Sequence, residues 1–159
     1  IVVRVTGDDI LIDLDYMNLA INYLFENNLD YVDHKGLPSG TETEIFDRKT
    51  LELIFKTGND LEGTEYLTNY IKNNKLYFKC GSAPVFLKHR SNLRLTIDYE
   101  ADYKYVKKFL LKMRNIKKEY NYNMDDIIKF YSKLKSNKII NNKIKKELNY
   151  DTSLNLNNI

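Results

Sequence analysis

Residues 1–9 read Ile1-Val2-Val3-Arg4-Val5-Thr6-Gly7-Asp8-Asp9, a β-branched run that ends abruptly at a Gly-Asp-Asp turn. Such a run reads as a buried, central strand leading into a loop. Directly after it, Asp15 offers a helix N-cap, and Met17, Ala20, Ile21, Leu24 and Phe25 follow the i, i+3, i+4, i+7, i+8 spacing of one helical face. Strand, loop and helix thus follow one another in the first 26 residues. The alternation continues. Leu29 to Val32 and Thr43 to Phe46 read as strands on either side of the polar loop His34 to Gly40, and Asp47 caps a short helix through Leu53 and Ile54. A third helix is expected from about Leu61 to Asn73, with Leu67, Tyr70 and Ile71 on one face. Leu76 to Lys79 and Leu93 to Ile97 are further strand candidates, and the second runs at Asp98 into a helix striped by Val106, Phe109, Leu110 and Met113. A last helix, Met124 to Leu134, carries Asp125 and Asp126 in its first turn, where the helix dipole favours acidic groups. Strands alternating with amphipathic helices indicate an α/β domain, its sheet parallel or mixed and covered by helices on both faces.

The 159 residues suit one domain with a sizeable core, and 43% apolar with 30% charged residues excludes a disordered chain. No apolar run approaches the roughly 18 to 20 residues that span a bilayer, so no membrane association is expected. Cys80 is the only cysteine, and His34 and His89 are the only histidines. An intrachain disulfide and a cysteine-rich zinc site are therefore excluded, which fits a reducing, cytoplasmic setting. Ile1 to Thr6 lacks the basic flank and small-residue cleavage site of a signal sequence. A domain that opens in mid-sheet is expected to lack an N-terminal piece. Charge divides along the chain: residues 104–159 carry 14 Lys and Arg against five Asp and Glu, a net +9, and residues 1–103 carry 11 against 17, a net −6. The basic portion is mostly Lys mixed with Asn, Ile and Tyr, a composition that AT-rich coding alone produces, so no nucleic-acid partner is expected. Residues 1–135 are read as the folded domain and 136–159 as a loosely packed Asn/Lys-rich tail.

Ligands of open α/β sheets bind beyond the carboxyl ends of the strands, and two carboxylates occupy such junctions. Asp8 follows the first strand and Asp98 follows Leu93 to Ile97. On neighbouring strands they could share one hard divalent cation. Mg²⁺ suits them better than Zn²⁺, because Mg²⁺ takes oxygen ligands and keeps waters and substrate phosphates, and no His or Cys cluster is present. The competing reading is that each Asp only caps the helix or turn behind it. His34 in its polar loop could touch a ligand, but a solvated position is the expected one. No Gly-x-x-x-x-Gly-Lys-Ser/Thr phosphate loop, Gly-x-Gly-x-x-Gly dinucleotide turn or Gly-x-Ser-x-Gly nucleophile elbow occurs, and nucleophilic catalysis is not expected.

Arg4 to Asp13, Leu37 to Phe46, Glu65 to Ile71 and Leu93 to Asp98 with Asp102, taken in order, resemble the cytidylyltransferase family of the spore-coat polysaccharide biosynthesis (SpsF) type, and more distantly the CMP-sialic acid and CMP-Kdo synthetases. Arg4-Val5-Thr6-Gly7-Asp8 with Leu11-Ile12-Asp13 is similar to the family's Arg-Val-Thr-Gly-Asp-x-Pro-Leu-Ile-Asp. Leu37-Pro38-Ser39-Gly40-Thr41-Glu42-Thr43-Glu44-Ile45-Phe46 is similar to Tyr-Pro-Arg-Gly-Leu-Asp-Val-Glu-Val-Phe, and Glu65 to Ile71 to Glu-His-Val-Thr-Pro-Tyr-Ile. Leu93-Arg94-Leu95-Thr96-Ile97-Asp98 with Asp102 resembles Leu-Arg-x-Thr-x-Asp-Thr-x-x-Asp. Ile10, Ser39, Tyr66 and Tyr99 depart from the family's Pro, Arg, His and Thr.

The resemblance implies a three-layer nucleotide-diphospho-sugar transferase fold, a Rossmann-like mixed sheet lacking its N-terminal nucleotide-binding part. It implies Asp8 and Asp98 as the metal pair and Arg94 as a residue that builds the site or neutralises phosphate. It implies substrate contacts at Thr6, Gly7, Gly40, Glu42 and Glu44, with Gly36 to Glu44 lining a sugar pocket. The implied reaction is Mg²⁺-dependent cytidylyl transfer from CTP to a sugar in glycan biosynthesis, by a homodimer. Two other classes stand beside it: a non-catalytic nucleotide-sugar-binding module or fragment that needs another chain, and a metal-dependent glycosyltransferase.

Overall fold

A computed structural model describes residues 1–59, 67–133 and 153–156. The described strands are β1 (Val2–Arg4), β2 (Tyr31–Asp33), β3 (Glu44–Phe46) and β4 (Cys80–Ser82). The helices are α1 (Leu14–Glu26), α2 (Arg48–Thr57), α3 (Leu67–Asn73), α4 (Glu100–Asn115) and α5 (Met124–Ser132), with a 3₁₀ turn at Leu87–His89. The sheet order is β1-β3-β2-β4; β3 is antiparallel to both neighbours and β2 is parallel to β4. It follows that β1, β2 and β4 run one way, so the loops after Arg4, Asp33 and Ser82 all leave from one edge.

Alternation along the strands sorts the core into layers. Tyr31 and Phe46 point to the face covered by α2 and α3, where they pack with Ile54, Tyr70, Ile71 and Phe78. Val32 and Ile45 point to the opposite face, against Ala20 and Leu24 of α1. Helices therefore cover both faces of a mixed sheet, as the sequence pattern predicts. A further cluster joins α4 and α5 through Val106, Phe109, Met113, Met124, Ile127 and Tyr131, and is anchored by Leu11, Leu37 and Leu95. The chain Tyr16 Oη to His89 Nδ1 (2.8 Å) and His89 Nε2 to Asp125 Oδ1 (2.9 Å) ties α1, the 3₁₀ turn and α5 together.

Several expectations need correction. The first strand is an edge strand among the described residues, because β3 inserts between it and β2; β-branched composition marks a strand but carries no information on its neighbours. The N-cap of α1 is Asp13, whose Oδ1 accepts the Tyr16 N–H at 3.0 Å, and Asp15 sits in the first turn. Phe25, placed on the apolar stripe by spacing, is 66% exposed. Leu76 to Lys79 forms a turn, and the strand starts at Cys80, where pairing with Tyr31 begins. Leu93 to Ile97 is not a sheet strand: it makes one parallel bridge, between Arg94 and Ser39, because the partner is a loop rather than a strand. His34 is buried, its ring edge-on to Tyr16 at 5.5 Å, and burial pushes its pKa below the ordinary value.

The expected start of the third helix at Leu61 lies outside the described residues, as do residues 136–152 and 157–159 of the expected tail and the Leu134 end of the last helix. Within that tail, Leu154 packs on the α2–α3 cluster and bridges Gly58, and Asn155 N–H donates to the Thr57 carbonyl at 2.6 Å. Residues 153–156 thus lie against the end of α2.

Candidate active site

The turn after β1 builds the first half of the site. Asp9 N–H donates to the Thr6 carbonyl at 3.1 Å, and the Thr6 hydroxyl donates to Asp9 Oδ2 at 2.8 Å. Both groups close the turn and leave Asp8 at its exposed apex. A Cβ at Gly7 would meet nothing within 4 Å, so packing does not demand that glycine.

The segment 93–98 supplies the second half and is laced directly to the first. Ile97 N–H donates to the Asp8 carbonyl at 3.0 Å, and the Thr96 hydroxyl donates to Asp8 Oδ2 at 2.9 Å. Asp98 is thus one residue beyond the amide that Asp8 holds. Burial works against ionisation of Asp8, but Thr6 and Thr96 beside it, its own backbone N–H and the Arg4 charge outweigh burial and hold its pKa below the usual value. Asp9 shifts the other way. Its partial burial, reinforced by the negative charges of Asp8 and Asp98, pushes its pKa up against the Thr6 hydrogen bond.

Arg94 and Asp102 fix the position of Asp98. The guanidinium Nη1 pairs with Asp98 and Nη2 with Asp102 Oδ2 at 2.5 Å, and its plane lies 5.7 Å from the Tyr99 ring centre. The same Asp102 oxygen accepts the N–H groups of Asp98 (3.1 Å) and Tyr99 (3.0 Å). It thereby satisfies orphan donors at the start of α4, a service that Tyr99 at the N-cap position does not perform through its own side chain.

A loop crossing closes the site from the other side. Leu95 N–H donates to the Ser39 carbonyl at 2.7 Å and Ser39 N–H to the Leu93 carbonyl at 2.9 Å, which lays the 37–42 loop along the segment that bears Thr96. Gly40 sits at this crossing with φ of +92°, and a Cβ there would lie 2.5 Å from Thr96 N and 2.8 Å from Leu95 C. Neither backbone can yield cheaply. Gly40→Ala is expected to separate the two segments and displace Thr96 from Asp8, costing about 2–4 kcal/mol and lowering activity. Thermal melts check the first effect; an unchanged melting temperature would refute the crossing as a tight contact.

Glu42 follows in the same loop; its burial raises its pKa, as does the Asp9 charge, against backbone N–H groups that include that of Thr41, which donates to its Oε2 at 3.2 Å. Asp8, Asp9, Asp98 and Glu42 therefore form one acidic field at the carboxyl edge of the sheet. Glu44 is placed apart from it. On the α3-covered face its carboxylate takes Arg4 Nη1 at 2.7 Å, the Tyr31 hydroxyl at 3.1 Å and the Thr68 hydroxyl, so its oxygens serve to tie β1, β2, β3 and α3 together. A groove of about 530 Å³ runs between Gly36, Leu37 and Ser39 on one side and Ser91, Asn92 and Arg94 on the other.

Sequence reasoning reached Asp8, Asp98, Arg94 and Gly40, which the structure brings together, but passed over Asp9 and assigned Asp102 no role. Asp9 was legible only as part of the turn. Asp102 carried a detectable signal, an acidic residue at the third helical position behind a residue that cannot cap.

Among the described residues no group of three or more His, Cys, Asp or Glu side chains is arranged to hold a metal ion. The available donors are two exposed carboxylates without soft ligands, which fits a cation that is bound by one or two carboxylates and keeps its remaining positions for water and phosphate.

A family model described as cytidylyltransferase matches residues 1–147. An uncharacterized protein of Methanocaldococcus jannaschii is 36% identical over 106 residues, 65% of this chain and 43% of that protein. The solved structure of a cytidylyltransferase from Leptospira borgpetersenii serovar Hardjo-bovis superposes with a TM-score of 0.73 at 27% identity, over 84% of this chain and 56% of that one. The chain spans about half the length of these two proteins. Among the described residues, no helix is long and apolar enough to cross a membrane.

Proposed function

The chain belongs to the cytidylyltransferase family, and from that premise we propose that it contributes the metal-binding and sugar-accepting part of an enzyme that transfers a cytidylyl group from CTP to a sugar. The observation that carries this reading is the lacing of Asp8 to segment 93–98 through Thr96 and Ile97. In the transfer, a sugar hydroxyl oxygen attacks the α-phosphorus of CTP, the bond between the α-phosphorus and its bridging oxygen breaks, and pyrophosphate leaves as the hydroxyl proton is lost.

Asp8 and Asp98 would hold Mg²⁺, whose charge offsets that building on the phosphate oxygens. The protein's own work is positioning and electrostatics. Asp8 stays ionised because Thr6, Thr96 and Arg4 favour its anion. Arg94 keeps Asp98 in place, and Asp102 keeps Arg94 in place. The open backbone at Thr6 and Gly7 admits phosphate close to the main chain. Gly40, Glu42 and the groove that contains Ser39, Ser91 and Asn92 offer hydrogen bonds suited to sugar hydroxyls, and Glu44 acts indirectly by bracing the strands. The resemblance of its motifs to the SpsF type supports a reaction in glycan biosynthesis in the cytoplasm, with a homodimer as the working unit.

Calorimetric titration of the folded chain with CTP and Mg²⁺, paired with a pyrophosphate-release assay on a sugar acceptor, tests this. Metal-dependent CTP binding and pyrophosphate release are expected. Release of a nucleoside diphosphate instead would make the protein a glycosyltransferase, and a folded chain that binds neither ligand would be a non-catalytic module.

A further inference from the structure

Tyr131, near the end of α5, lies under the site, 4% exposed, and its hydroxyl makes no hydrogen bond among the described residues. Its ring cannot swing toward solvent. It is stacked on Phe109 with centroids 6.0 Å apart and faces the edge of Phe130 at 5.1 Å. Buried hydroxyls are almost always paired, to protein or to an internal water. Next to Tyr131 is a cavity of about 10 Å³ whose lining includes Arg94, Thr96, Asp102 and Tyr131. That is the lower end of the roughly 10–15 Å³ that one water needs, and a water there also needs two to four polar partners. Arg94, Asp102 and Tyr131 are the lining residues whose polar groups can serve as those partners, in a wall that is otherwise mostly apolar.

We propose that a single internal water occupies this cavity and bridges the Tyr131 hydroxyl to the Asp102 carboxylate, making Tyr131 a positioning residue for Asp102 and, through it, for Arg94 and Asp98. The direction of the bonds follows from the groups. Asp102 can only accept, so the water donates to it and the phenol donates to the water. Burial and the Asp102 charge keep the phenol protonated, as this requires. The bridge gives Asp102, which already holds Arg94 and two α4 amides through one oxygen, a further restraint from a different helix.

Tyr131→Phe separates this from a bare buried hydroxyl by the sign of its effect. Losing a bridged water should lower the melting temperature by a few degrees and speed amide exchange at Asp98 and Tyr99 severalfold relative to Met113 in α4. A wild-type crystal structure should show an ordered water about 2.6–3.2 Å from the phenol oxygen. A raised melting temperature, the result expected on removing an unsatisfied hydroxyl, would overturn the proposal, as would wild-type density without that water. Unchanged exchange at Asp98 and Tyr99 would overturn the positioning role. None of these readouts depends on cytidylyl transfer; a fall in kcat at constant KM for CTP is the further result expected on that reading.

Discussion

Asp8→Ala and Asp98→Ala, made separately, are each expected to lower the rate of cytidylyl transfer by roughly three orders of magnitude while leaving the protein folded. The two halves of that expectation rest on different features. Asp8 and Asp98 are exposed, so their removal leaves no cavity in a core, and the Ile97 to Asp8 bond runs through the Asp8 carbonyl, which alanine retains. Stability should therefore change by no more than about 1 kcal/mol. The Asp→Asn variants keep shape and hydrogen bonding but lose the charge, and should be impaired nearly as much as the alanines if charge is what matters. Pyrophosphate release against thermal melts reads both halves. An Asp98→Ala protein with the wild-type rate would remove the proposed mechanism.

The largest effect on stability is expected at Asp102. Its carboxylate is 7% exposed and its partner Arg94 13%, so Asp102→Ala leaves a nearly buried guanidinium with only the exposed Asp98 as its carboxylate partner and unpairs two amides at the start of α4. Breaking a buried pair from one side costs about 3–5 kcal/mol, far more than the pair itself contributes. For a chain of this length that lowers the melting temperature by about 10 °C. Removing both charges should restore much of the loss, so Arg94→Met/Asp102→Leu is expected to melt well above Asp102→Ala although its transfer activity is lost. If the double replacement melts lower still, the pair is not the source of the effect.

The helices and their buried stripes were legible, because residues such as Tyr70 and Ile71 or Val106, Phe109 and Met113 recur with helical spacing and do bury. The strands were legible only as segments. Nothing local to Ile1–Thr6 says that Glu44–Phe46 pairs beside it, since pairing order is a long-range property of the chain. The site followed the same division. Asp8 and Asp98 were found because each ends an extended stretch, and that much is encoded locally. Asp9 feels the charge of Asp98 across the fold, and Tyr131 borders a cavity whose other walls lie 25 to 37 positions earlier in the chain. His34 read as solvated because its neighbours in sequence are polar, but its neighbours in space are Tyr16 and the sheet.

The two carboxylates of the proposed metal pair hang from different supports. Asp8 follows the sheet, whereas Asp98 leads into α4 and the helical cluster below it. What joins them is a short seam of hydrogen bonds: Ile97 to Asp8, Thr96 to Asp8, and the pair between Ser39 and the 93–95 segment. A seam of this kind opens at lower free energy than either support unfolds. The separation of the two carboxylates is therefore set by this seam rather than by either support, so a substitution that breaks the seam is expected to part them while sheet and helical cluster each stay folded.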